Sequence, residues 1–121
     1  MKNMNNENKT FESIKHIDEN GIEYWYAREL QKVLKYNKWE NFEKVIQKAK
    51  IACKNTGISV VEHFPDIRKT IRMPKNAEKE INDYKLTRYA CYLIAQNGDP
   101  RKEVKAIKQA GRNYARRITY T

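Results

Sequence analysis

The segment from Tyr84 to Pro100, YKLTRYACYLIAQNGDP, constrains the fold of this chain more than any other. Leu86, Tyr89, Ala90, Cys91, Tyr92, Leu93, Ile94 and Ala95 leave no polar stripe, so a helix here is apolar nearly all the way round and has to be buried. The other elements must then be arranged about it. Its end is marked by Asn97-Gly98, which tolerate a left-handed C-cap. Asp99-Pro100 then offers an N-cap followed by a proline at the first position of a new helix. The expectation is a central helix, a sharp turn and a second helix.

Upstream, residues 1–9 are polar and Asn-rich and are expected to be a disordered lead-in. Structure begins near Thr10, where Phe11 and Ile14 fall on one helical face. The segment Ile17 to Trp25 reads as a hairpin, with Asn20-Gly21 supplying the positive φ angles of a type I′ turn. A short helix follows from Ala27 to about Lys35, with Leu30, Val33 and Leu34 inward. Between Lys38 and Asn55, Trp39, Phe42, Ile46, Ala49 and Cys53 recur at spacings of three and four and form one apolar seam, ended by Gly57. Ile58 to Phe64 reads as an extended or linking piece.

From Ile67 to Met73, the alternation of Ile67, Lys69, Ile71 and Met73 with Arg68, Thr70 and Arg72 predicts a strand with one wet, basic face. Glu80 to Lys85 is its antiparallel partner, across the polar loop Pro74 to Lys79. A last helix starts at Pro100, with Val104, Ile107, Tyr114 and Ile118 on one side. The chain of 121 residues has room for one core. It reads as α+β: a mainly helical single domain over residues 10–110 with one or two small antiparallel β-hairpins. Residues 111–121 form a basic tail that continues the last helix.

Catalytic chemistry is disfavoured. Cys53 and Cys91 lie on apolar surfaces, where a thiol behaves as a small hydrophobe rather than a nucleophile. With His16 and His63 they lack the short local spacing of zinc ligands. No carboxylate pair has acid/base spacing, and the four glycines form no phosphate loop, so neither metal nor cofactor is expected. There is no apolar run long enough to cross a membrane and no apolar signal core at the N-terminus. The expected compartment is the cytoplasm, and two distant cysteines suit its reducing conditions.

Charge points the other way. Twenty-five Lys+Arg against fifteen Asp+Glu give a formal net charge of +10, which favours polyanionic partners. Three patches are candidates for contact with a nucleic-acid backbone: Lys44, Lys48 and Lys50 on the long helix; Arg68, Arg72 and Lys75 on the second hairpin; and Arg101, Lys105, Lys108 and Arg112 on the last helix. Tyr24, Trp25, Tyr26, Tyr36 and Trp39 cluster as core-packing residues would. The short and long helices meet through a brief connection, as in helix-turn-helix proteins, yet the second lacks a base-reading cluster at its start.

The run LTRYACYLIAQNGDPRKE, from Leu86 to Glu103, resembles the signature of the DNA-damage-inducible protein D family, whose members carry a BRO-N domain like those of phage antirepressors and baculovirus BRO proteins. YWYARELQKVLKY, from Tyr24 to Tyr36, with Trp39 beyond it, is similar to the opening of that domain. The resemblance covers residues 10 to about 105. Beyond it the family pattern has a more apolar helix, a Gln-Thr-Arg motif and a further C-terminal region, where this chain reads KAIKQAGRNYARRITYT. The resemblance implies a bacterial SOS-response protein without catalytic residues, binding DNA in the cytoplasm or at the nucleoid. Its alternative is an antirepressor-like module that acts on a repressor or a recombination protein.

Overall fold

A computed structural model describes residues 9–99 and residue 107. Its buried helix is α4 (Arg88–Asn97), in which Tyr89, Ala90, Cys91, Leu93, Ile94 and Ala95 are all buried. The helix starts later than the apolar run does. The Thr87 hydroxyl caps it, accepting from the Ala90 amide at 3.1 Å, and Tyr84 and Leu86 belong to the preceding strand. At the far end Gly98 is extended (φ −98°, ψ −162°), so the expected left-handed cap is not formed. Glycine is required there for space: a Cβ would lie 2.5 Å from the Tyr36 hydroxyl and 3.2 Å from the Ile94 carbonyl. That hydroxyl accepts from the Asp99 amide at 3.0 Å and so holds the chain as it leaves the helix.

Against α4 packs α2 (Trp39–Asn55), which buries Phe42, Ile46, Ala49 and Cys53 along the anticipated seam. The other wall of the core is a four-stranded antiparallel sheet. Its strands are β1 (His16–Ile17), β2 (Glu23–Tyr26), β3 (Asp66–Arg72) and β4 (Glu78–Leu86), in the order β1-β2-β4-β3. The two hairpins are thus one sheet, joined where Trp25 pairs with Leu86 and Tyr26 with Lys85. Trp25 is fully buried, stacks on Phe11 at 4.4 Å between ring centres and donates from Nε1 to the Phe11 carbonyl at 2.7 Å. Ile107 is helical and buried in the same core.

Three local expectations change. The β1–β2 turn is not type I′, because of its residues only Gly21 has positive φ (+80°). Asp18 instead shapes a wider turn, its carboxylate accepting from the amides of Asn20 (2.8 Å) and Ile22 (2.9 Å). The piece before Pro65 contains one helical turn, α3 (Val60–His63), capped by the Ser59 hydroxyl. The short helix α1 (Ala27–Val33) ends slightly before its expected limit, with Leu30 and Leu34 buried. The expected lead-in, the helix from Pro100 and the basic tail lie outside the described residues, Lys9 and Ile107 excepted.

Strands β3 and β4 pair from Asp66–Tyr84 out to Arg72–Glu78. Residues 71–80 are all exposed, so the outer half of this hairpin is an arm standing clear of the core. Its tip is a short 3-10 turn, Pro74–Asn76, with Lys75 and Asn76 at positive φ and Met73 N–H donating to the Ala77 carbonyl at 2.8 Å.

Candidate nucleic-acid interface

The arm is clamped at its root. Asp83 on β4 has no exposed surface, and its Oδ1 accepts from the Arg28 amide at 3.0 Å and the Tyr84 amide at 2.8 Å. Tyr26 gives α1 no side-chain cap, so Asp83 caps that helix from another strand. The other carboxylate oxygen pairs with Lys69 Nζ at 2.7 Å, and the same ammonium lies 3.5 Å from the centre of the Tyr26 ring. On the opposite side, Arg28 donates from Nε to the Asn82 carbonyl at 3.0 Å while its guanidinium stacks 3.9 Å from the Trp39 ring centre. Asn82 Nδ2 reaches Glu43 at 3.0 Å, and the Tyr84 hydroxyl lies between Gln47 and Glu43. Burial, helped by the Glu43 carboxylate, pushes the Tyr84 phenol up to about 12.

Beyond the root, the predicted basic face is of mixed charge. Directly paired residues of an antiparallel sheet share a face, so Arg68, Thr70 and Arg72 stand with Asn82, Glu80 and Glu78. Arg68 comes within 3.6 Å of Glu80. Further out, among the described residues Arg72, Lys75 and Lys79 make no ion pair, although Arg72 stands directly opposite Glu78, so Lys75 and Lys79 are the cations without a facing carboxylate. Lys79 was not among the sequence-predicted contacts.

The three lysines of the long helix also separate. Lys44 and Lys48 are exposed one turn apart, opposite the core seam, whereas Lys50 is half-buried on a flank, with Nζ 5.1 Å from the Tyr84 ring centre. Arg101, Lys105, Lys108 and Arg112 lie outside the described residues. The aromatic cluster divides too. Trp25 is core, but Tyr24 and Tyr26 are only half-buried on the sheet's outer face, where Lys85 lies over the Tyr24 ring at 4.9 Å. His16 stacks on Tyr24 and meets Glu29 at 2.8 Å. Strict alternation through Glu23-Tyr-Trp-Tyr26 carried this signal, because one side of a strand cannot share the environment of the other.

Cys53 and Cys91 are buried free thiols, and desolvation raises both pKa values, so neither is poised as a thiolate. His63 meets the Thr87 hydroxyl at 2.6 Å, and burial lowers its pKa. Among the described residues no three His, Cys, Asp or Glu side chains converge to hold a metal ion.

Residues 13–110 match the BRO family, N-terminal domain. The chain is 44% identical over 106 residues to DNA damage-inducible protein D of Escherichia coli (strain K12). That alignment takes in 88% of this chain and 39% of the relative, so the chain spans about two fifths of the curated protein it matches. No solved structure matches it significantly. The family match runs from the first strand through the arm and the buried helix, and the chain belongs to the BRO family by its N-terminal domain.

Proposed function

We propose that this domain is a non-catalytic part of a bacterial DNA-damage response and that it contacts the nucleic-acid backbone with the tip of the β3–β4 arm. One observation carries the reading: a two-stranded ribbon leaves the core at a clamped root and ends in Arg72, Lys75 and Lys79, which make no ion pair among the described residues. A ribbon of this kind fits the major groove, and cations at its end displace condensed counterions from phosphates. Lys44 and Lys48 offer a second contact of the same chemistry. The relative's name supports the damage-related setting. No helix among the described residues is long and apolar enough to cross a membrane, and the cytoplasm remains the proposed compartment.

The second reading is an antirepressor-like module that binds a repressor or recombination protein. It is favoured by apolar side chains on the same arm, Ile71 at 37% and Met73 at 38% exposed. Fluorescence anisotropy with labelled duplex and single-stranded DNA over a salt series separates the two. The DNA reading expects affinity that falls linearly in log salt, with Lys75→Glu/Lys79→Glu weakening it and lowering the slope by about 1 per lost phosphate contact. Folded protein that binds neither DNA at low salt would exclude this reading and direct the search to a protein partner.

A further inference from the structure

Among the described residues strand β3 is the last strand of the sheet, and its outer edge, which no described strand pairs, has a definite hydrogen-bonding phase. Lys85 N–H donates to the Pro65 carbonyl and Met73 N–H to the Ala77 carbonyl, at the two ends of the β3–β4 ladder. Odd-numbered residues of β3 therefore bond to β4, while the N–H and C=O groups of Asp66, Arg68, Thr70 and Arg72 point outward. An edge of this length is a template for another strand.

The sequence of that edge, Asp66-Ile-Arg-Lys-Thr-Ile-Arg72, complements itself in one register. With a two-fold axis through Lys69, Asp66 faces Arg72 of a second copy, Ile67 faces Ile71 and Arg68 faces Thr70. All four outward-pointing residues then fall in hydrogen-bonded pairs, two bonds to each pair. Moving the axis to Arg68 or to Thr70 keeps the phase but sets Arg68 against itself or against Arg72. In the favoured register Lys69 meets its own copy, yet each ammonium is drawn inward to Asp83 at 2.7 Å, away from the edge.

We propose that this domain forms a two-fold dimer through antiparallel pairing of β3 edges, with a second copy of the same chain as the occupant. The two sheets become continuous, the arms point in opposite directions, and Lys75 and Lys79 at each tip stay free. Arg72 then sits between Glu78 of its own arm and Asp66 of the other copy.

Sedimentation equilibrium on the full chain without DNA tests this. A concentration-dependent dimer is expected, with Asp66→Arg and Arg72→Asp each weakening association at least tenfold and the double variant restoring it. Thr70→Pro removes one outward N–H without touching the β3–β4 ladder and should also give monomer, with an unchanged circular dichroism spectrum. A wild-type chain that is monomeric at millimolar concentration overturns the proposal, as does a dimer indifferent to these substitutions. So does an edge whose substitutions alter only DNA affinity. Because the readout contains no nucleic acid, its outcome is independent of the DNA reading.

Discussion

Asp83 is the residue on which the arm depends. It satisfies an end amide of α1, bonds the next residue's amide and neutralises Lys69, all without contact with water. Asp83→Ala leaves a partly covered ammonium and an uncapped helix start, and should lower stability by roughly 3 kcal/mol in urea denaturation. A loss below about 1 kcal/mol would mean that Lys69 finds solvent freely. Tyr84 makes a separate prediction. Its phenol is neutral in the folded chain up to about 12, whereas the unfolded chain ionises near the ordinary value of 10. The unfolded state therefore sheds the proton first, and stability is lost as pH rises from 10 toward 12. Absorbance at 295 nm should show Tyr84 titrating late, alongside Tyr24, whose phenol is also raised by its hydrogen bond with Tyr26, and the urea midpoint should fall across the same interval. None of this was legible in the sequence. The partners of Asp83 lie 14 residues away at Lys69 and 55 away at Arg28, and among many acidic residues nothing marks it as the buried one.

At the scale of elements, local pattern carried far. The α2 seam and the β3–β4 pairing follow from periodicity and the buried α4 from the lack of a polar stripe, because each is fixed by which residues must leave water. Where the sequence misled, a neighbour decided the outcome. The Arg face of β3 looked basic because Glu78 and Glu80 come from the partner strand, and Gly98 is dictated by Tyr36, from a distant part of the chain. Gly98→Ala should cost roughly 1–3 kcal/mol through that clash, with Tyr36→Phe/Gly98→Ala recovering part of it. Another junction ties three elements together. Arg88 on α4 holds Glu23 through two bonds, of 2.8 and 2.9 Å, and Glu12 at 2.8 Å. These hydrogen bonds hold both carboxyls below the usual carboxylate range. Their contribution is full above about pH 4.5 and is lost as pH falls through the lowered values. Arg88→Ala should therefore flatten the acid limb of the stability profile. An unchanged limb would show that the junction adds nothing on folding.

The whole molecule places a rigid root and a free tip on one hairpin and surrounds them with a net charge of +10. In the proposed reading this charge draws a polyanion to the surface, and among the described residues the arm reaches beyond the core with Lys75 and Lys79 outside any ion pair. The overall class, a small basic α+β domain, was readable from composition and pattern. The proposed contact surface was not, because it depends on which charges are cancelled across the sheet. The proposed DNA contact has a direct test in which amides a duplex perturbs. Backbone amide NMR of the labelled domain, titrated with a short duplex at low salt, should move the signals of Arg72, Lys75, Lys79 and their neighbours in residues 70–80, with smaller changes at Lys44 and Lys48. Shifts confined to the Tyr24–Tyr26 face, or no shifts with a folded protein, would contradict it.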